Sequence, residues 1–387
     1  MKNNQIQKNI PNGWSIVPLG SLGEIVTGNT PSTKDSSNYI GSHCWATAED
    51  FKSKYIFDTN IKLSDSGKKY SRFLPIGSIL VTCIASIGKN AIAKVPLATN
   101  QQINAIIVNS KNNNEFVYYW IQNSVPLLKR TAGAGAMQIL NKNEFSKLKI
   151  CVPPSPEQKR IVSVLETWDK AIEILAKKIE FKKNIKKGLM QRLLTGKIRL
   201  PGFSEKWQTL EIGELLDYEQ PTKYIVNNTD YKDYHKTPVL TANKGFILGF
   251  TNETDGIYNN SPVIIFDDFT MDNKYIDFEF KVKSSAIKIL TAKTKEVNLK
   301  FIFEKIQLLN IIIGQHRRHY LSEYQYITMD VPNIKEQAAI ANVSICFDKE
   351  ITNLEKKLSI IKKQKNYLLD NLITGTIRTP ETMKTKL

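Results

Sequence analysis

Two segments of the chain carry seam positions at alternating steps of four and three. In the first they fall at Ile161, Leu165, Trp168, Ile172, Leu175, Ile179, Lys182, Lys186, Leu189 and Leu193. In the second they fall at Ile340, Ser344, Phe347, Ile351, Leu354, Leu358, Ile361, Lys365, Leu368 and Leu372. This is the spacing of a coiled coil and predicts one long helix per segment. Pro153 and Pro332 precede these helices and Gly196 and Gly375 follow them, as helix boundaries favour. Lys186 and Lys365 share one seam position, where a polar residue fixes register at some cost in stability.

The two segments are copies. Val152 to Pro201 aligns with Val331 to Pro380 without a gap, and Glu-Gln, Asp-Lys and Thr-Gly-x-Ile-Arg-x-Pro recur at matching places. A repeat of this length is an architectural unit. Placing Trp14 on Trp207 also superposes Val17 on Leu210, Leu19 on Ile212, Gly20 on Gly213 and Leu22 on Leu215. The chain therefore reads domain, helix, domain, helix, with divisions at 1–151, 152–201, 202–330 and 331–387. A narrow apolar stripe needs a partner, and the simplest partner for each copy is the other. A forty-residue helix spans roughly 60 Å. If one leads away from a domain the other leads back, so an antiparallel pair is expected, holding two domains apart in a pseudo-twofold repeat.

Between the helices the pattern shortens. From Trp14 to Ile150, strand candidates at Gly77–Lys89 and Ala105–Val108 accompany a helical spacing over Asn114–Leu128. From Trp207 to Met329, strands are expected at Pro238–Leu240, Gly245–Phe250, Pro262–Phe266 and Phe278–Val282, with a helix over Asn298–Ile313. The fold class expected is mixed α/β (α+β) in both domains. They share a start and a plan, but their middles differ.

The net charge of +17 over 387 residues points to a polyanionic partner, nucleic acid above all. No stretch has the length and apolarity of a membrane span, the polar first ten residues lack a signal peptide's apolar region, and Cys44, Cys83, Cys151 and Cys346 form no framework. A cytoplasmic protein with reduced thiols is expected.

No catalytic constellation stands out. There is no amino-methyltransferase Pro-Pro-aromatic loop, no Gly-x-Gly cofactor loop after a strand and no phosphate-binding loop; Ala132-Gly-Ala-Gly-Ala136 is glycine-rich but precedes no Lys-Ser/Thr. His43, His235, His316 and His319 do not pair with cysteines at metal spacing. Asp267-Asp268 followed by Glu279-Phe-Lys281 has the outline of a metal-dependent nuclease set, but alternating strand charges often produce it by chance. A turn after a buried strand is the preferred reading.

A Pro-x-x-x-Glu-Gln segment opening a long helix, present twice and each time after a variable domain, resembles the specificity subunit of a Type I restriction-modification system. Pro153 with Glu157-Gln158 and Pro332 with Glu336-Gln337 carry the resemblance. Gly77-Ser-Ile-Leu with Ile87-Gly-Lys89, and Thr237-Pro-Val-Leu-Thr with Pro262–Asp268, extend it over nearly the whole chain. The resemblance implies two target recognition domains, each reading one half of a bipartite, asymmetric double-stranded DNA site. It implies helices that set the spacing and dock two modification (methyltransferase) subunits. Restriction (translocase/nuclease) subunits would join the larger assembly. The chain itself would be non-catalytic and hold no cofactor: S-adenosylmethionine belongs to the modification subunits, ATP and Mg2+ to the restriction subunit. The competing readings are a stand-alone DNA-modifying or DNA-cleaving enzyme and a coiled-coil adaptor without DNA recognition.

DNA-contact candidates follow from residue type. In the first domain they are Lys34, Ser86, Lys89, Asn90, Asn100, Gln101, Gln102, Lys129, Arg130 and Gln138. In the second they are Lys223, Tyr224, Lys244, Lys274, His316, Arg317 and Arg318. Gln101 and Gln102 either pair bidentately with adenine or are polar residues at a strand edge. Arg317-Arg318 either reads guanine or clamps phosphate. Lysines 177, 178, 182, 183, 186 and 187 bridge phosphates of a DNA spacer or form a solvated helix face. Trp168 and Phe347 share a seam position and are core residues by preference.

Overall fold

In the computed structural model, the structure describes residues 10–133, 138–241, 245–309, 320 and 323–384. The chain divides into two compact units, Met1–Ala176 with Lys357–Leu387, and Lys177–Lys356. The division falls inside the long helices, so each unit holds one variable region and half of each helix.

Unit 1 contains β1 (Ser15–Pro18), β2 (Gly23–Thr27), β3 (His43–Ala46), β4 (Tyr55–Ile56), β5 (Ile61–Leu63), β6 (Ile79–Thr82), β7 (Asn90–Ala93), β8 (Ala98–Thr99), β9 (Ile103–Val108) and β10 (Lys149–Val152). Its helices are α1 (Asp65–Lys69), α2 (Asn114–Asn123), α3 (Val125–Thr131) and α4 (Lys142–Lys147), followed by the long α5 (Ser155–Leu194). Strands pair in the orders β2-β9-β6-β7-β4, β5-β3-β8 and β1-β10. The central strand β6 is buried on both faces: Ile79 and Val81 enter the core shared with α2 and α5, and Leu80 enters a second core. Burial on both sides explains its continuous apolar run.

Unit 2 repeats this plan with β11 (Gln208–Glu211), β12 (Leu216–Glu219), β13 (Thr237–Leu240), β14 (Ile247–Thr251), β15 (Val263–Asp267), β16 (Asn273–Ile276), β17 (Lys281–Val282), β18 (Ile287–Ala292) and β19 (Thr328–Val331). Its helices are α6 (Ile212–Leu215), α7 (Leu299–Ile306) and the first part of α8 (Ile334–Thr374). The strand orders are β12-β18-β15-β16, β14-β13-β17 and β11-β19. In β15, Ile264 and Phe266 face one core, Val263 and Ile265 the other.

Two expected helices come out shorter. Asn114–Leu128 divides at Ser124, because Pro126 lacks the N–H that would continue the ladder and starts α3 instead. The helix expected over Asn298–Ile313 ends at Ile306, and residues 310–313 lie outside the described ones. Asn113 and Asn298 cap α2 and α7 by accepting from Phe116 N and Phe301 N.

The long helices run antiparallel within each unit. In unit 1, Asp169 pairs with Lys365 at 2.5 Å while Glu157 pairs with Arg378. In unit 2, Lys182, Lys183 and Lys186 pair with Glu350, Glu355 and Asp348. Every seam position is buried or half-buried, Trp168 and Phe347 among the latter. Lys186 and Lys365, at the shared seam position, both meet a carboxylate at the same repeat position, Asp348 or Asp169.

The repeated Glu-Gln pair ties the variable region to the helix. Glu157 accepts from Trp14 Nε1 at 3.0 Å and takes two bonds from Arg378, at 2.6 and 2.7 Å. Glu336 receives the same set from Trp207 and Arg199. Gln158 Oε1 accepts from Asn113 N at 2.8 Å, and Gln337 Oε1 from Asn298 N at 2.8 Å. Each side-chain amide also donates to the carbonyl of the preceding proline, Pro153 or Pro332. The duplicated motif is thus a buried, fully bonded clamp.

Candidate nucleic-acid interface

Antiparallel pairing in unit 1 gathers four chain segments at one edge of the large sheet. Thr27 opposes Asn104, Thr82 opposes Ile103 and Val81 opposes Asn90. The ends of β2 and β6 and the starts of β7 and β9 therefore lie together, with residues 28–31, 83–89 and 99–102 leaving there. Residues 138–140 join them through Leu140 N to Cys83 O, 2.9 Å, and Ala85 N to Gln138 O, 3.4 Å.

This edge is held rigidly. The buried Thr82 hydroxyl donates to Ser86 O and accepts from Lys89 N. Ala85 adopts φ +60°, an unfavourable region for a residue with a Cβ, at the exposed tip of this turn. A Cβ on Gly28 would stand 2.1 Å from Thr99 Oγ1 and 2.2 Å from Asn100 O, so only glycine lets the two loops meet. Asn29 then bonds to Tyr70 O and accepts from Arg72 N at 3.0 Å, and Arg72 donates to Thr27 O at 2.7 Å.

Of the ten candidates in this unit, Ser86, Lys89, Asn90, Asn100, Gln101, Gln102 and Gln138 collect at the edge. Lys89 and Gln101 are exposed. Asn90 Nδ2 is committed to Tyr118 O at 2.8 Å, and the Asn100 and Gln102 amides bond to each other at 3.3 Å. Lys129 and Arg130 are exposed in the last turn of α3, whose Val125 lies against Gly88. Lys34 is exposed in the turn before Asp35. Sequence reasoning missed Asn29, Thr30, Tyr70 and Arg72. Arg72 reaches the edge from 43 residues away, and no local pattern announces that.

Unit 2 builds the equivalent edge, where Glu219 opposes Ile289, Phe266 opposes Asn273 and Asp267 opposes Ile287. Asp267 Oδ1 accepts from Phe269 N and Thr270 N, 2.9 and 3.0 Å. Asp268 accepts from Tyr320 N at 3.0 Å and faces Lys288 at 3.6 Å, both side chains buried. These carboxylates shape the turn. Lys281 instead bonds Glu253 at 2.9 Å and Asp255 O, and Glu279 is exposed. The nuclease-like set thus does not converge, and among the described residues no three His, Cys, Asp or Glu side chains group as metal ligands. Lys223 and Lys274 are exposed at this edge. Tyr224 donates to Glu219 at 3.0 Å, and burial followed by that carboxylate raises its phenol pKa. Lys244, His316, Arg317 and Arg318 lie outside the described residues.

Residues 11–181 match the family model described as the Type I restriction modification DNA specificity domain. This part of the chain is thus similar to such a domain. The specificity subunit of the Type I restriction enzyme EcoR124I/EcoR124II from Escherichia coli is 41% identical over 187 residues, 45% of this chain and 46% of that one. The match spans less than half the length of that relative. The MjaIX specificity subunit of Methanocaldococcus jannaschii is 25% identical across 96% of this chain and 95% of its own. The crystal structure of the Type I S subunit from M. genitalium shares the fold, with a TM-score of 0.64 at 16% identity over 95% of this chain and 97% of that one. The chain as a whole thus resembles Type I restriction enzyme specificity subunits. No helix among the described residues is long and apolar enough to cross a membrane.

Proposed function

We propose that this chain is the sequence-specific DNA-binding subunit of a Type I restriction-modification complex. Each sheet edge reads one half of a bipartite, asymmetric site in double-stranded DNA. The observation that carries the reading is the same scaffold presented twice with different side chains at the equivalent edge. Lys89, Gln101 and Arg72 stand out in one unit; Phe269, Lys274 and Lys283 stand out in the other. One scaffold with two surfaces suits a target with two unlike halves.

The helices set the spacing between half-sites and dock two modification subunits. Ile174, Ile360 and Tyr367 in unit 1 and Phe181 in unit 2 support the docking role, each more than half exposed and each off the seam. Lys182, Lys183 and Lys186 are engaged with α8 carboxylates, which disfavours the phosphate-bridging alternative for them. Chemistry is left to the partners: methyl transfer from S-adenosylmethionine in the modification subunits, and ATP- and Mg2+-dependent translocation and cleavage in restriction subunits. The complex acts in the cytoplasm.

The test is selection of bound duplexes from a randomised pool by the full chain, followed by sequencing. A motif of two short defined halves around an undefined spacer is expected. A single contiguous motif, or none, overturns the proposal. Methyl transfer by the purified chain without a partner would overturn the division of labour.

A further inference from the structure

We propose that Gln101 is the adenine-reading residue of unit 1 and that Thr30 sets its direction. The inference rests on the DNA-reading role proposed above and names one contact within it. Ile103 N bonds to Asn100 O at 3.2 Å, closing a tight turn with Gln101 and Gln102 at its two central positions. Three consecutive amides, Asn100, Gln101 and Gln102, thus stand at the edge of the sheet. Two are used internally: Asn100 Nδ2 donates to Gln102 Oε1, and Gln102 N donates to Asn100 Oδ1 at 3.1 Å. Gln101 alone is exposed.

Its orientation is nevertheless fixed. Thr30 Oγ1 donates to Gln101 Oε1. Thr30 is itself held by its neighbours: Asn29 N bonds to Thr99 O at 2.9 Å and Gly28 N to Ile103 O at 3.0 Å. Trp45 Nε1 adds a bond to Asn29 O at 3.2 Å. The hydroxyl occupies one lone pair of Oε1 and leaves the other, with both Nε2 protons, facing out. An acceptor beside a donor in one plane matches the major-groove edge of adenine, whose N6 amino group donates and whose N7 accepts. Guanine sets an acceptor, O6, against Oε1 and is rejected. Without Thr30 the amide turns over freely and loses this discrimination. Unit 2 carries Ser284, Ser285 and Ala286 at the equivalent turn before β18, where Ala286 N bonds to Ser284 Oγ but no side chain offers an amide. The contact therefore belongs to one half-site only.

The experiment is the same randomised-duplex selection with full-length wild type, Gln101→Ala, Thr30→Val and Thr30→Ser. Gln101→Ala is expected to lose one adenine in one half of the motif, with discrimination there falling by roughly 5- to 100-fold. Other positions should stay as in wild type. Thr30→Val should relax the same position, and Thr30→Ser, which keeps the hydroxyl, should retain it. Gln101 is exposed, so the variant folds, and its melting temperature checks this. An unchanged motif in Gln101→Ala, an equal loss on all duplexes, or relaxation at a base other than adenine overturns the assignment. An unchanged preference in Thr30→Val overturns the role of Thr30. If wild type itself selects no two-part motif, the DNA-specificity reading fails instead, and the two failures are told apart by the wild-type arm.

Discussion

Glu157 is a buried carboxylate that no polar surface demands. Burial alone would raise its pKa, but bonds from Arg378 and Trp14 outweigh it and hold the group below its ordinary 4.5. Replacing it with glutamine leaves Arg378 half-satisfied. We expect Glu157→Gln to cost about 2 kcal/mol at pH 7, below the ~3–5 kcal/mol of a fully buried pair because Arg378 is partly exposed. A lowered folded pKa stabilises above the ordinary value, and that contribution is lost as pH falls through the folded one. The gap between wild type and variant in urea unfolding should therefore narrow on acidification below about pH 4.5. A gap independent of pH would contradict this account. Lys305 shows the opposite balance. Its Nζ donates to Leu194 O at 2.8 Å, yet burial pushes its pKa down to about 8 from 10.5. Between those values the folded state binds fewer protons than the unfolded one, so stability rises with pH across that window. Lys305→Met should abolish that rise, measured by unfolding at pH 7 and pH 9.5.

Each long helix has two faces with different duties. The seam buries Ile351 and Leu175, whereas the opposite face exposes Ile360 and Phe181 at matching repeat positions. The seam lysines Lys182, Lys186 and Lys365 each meet a carboxylate, whereas a charge put at an apolar seam position loses its water or pushes the helices apart. We expect Ile351→Asp to destabilise the chain by roughly 2–4 kcal/mol and lower its melting temperature. Ile360→Asp should leave melting unchanged and weaken capture by a modification subunit in pull-down. If the two variants behave alike, seam and outer face do not have separate roles. Helix existence and seam were legible because a four-three alternation survives in any context. Helix ends were less so: Pro126 restarting a helix and the stop at Ile306 depend on how the chain turns onto its sheet.

A plan used twice lets the surfaces be exchanged. The clamp residues Trp14, Glu157 and Arg378 have counterparts in Trp207, Glu336 and Arg199, so the ends of the variable regions are bonded in the same way. A chain carrying the Trp14–Ile150 region in place of Trp207–Met329 should fold and select a motif whose two halves have the same sequence. Two unlike halves from that chimera would show that recognition resides outside the exchanged regions.

The repeat, the seam, the basic charge and the mixed α/β class were determined by the amino-acid sequence alone, because periodicity and composition are local or summed properties. Which polar residues meet at the sheet edge was decided only by tertiary structure. Gln101 and Gln102 are neighbours with the same side chain, yet one faces solvent and the other closes on Asn100. Arg72 and Asn29 join across 43 residues because the Leu74–Leu97 bridge and the close approach of Gly28 to Thr99 bring both loops to the same strand end. Such selections depend on strand register and loop closure, which act between distant parts of the chain and leave no mark in local spacing.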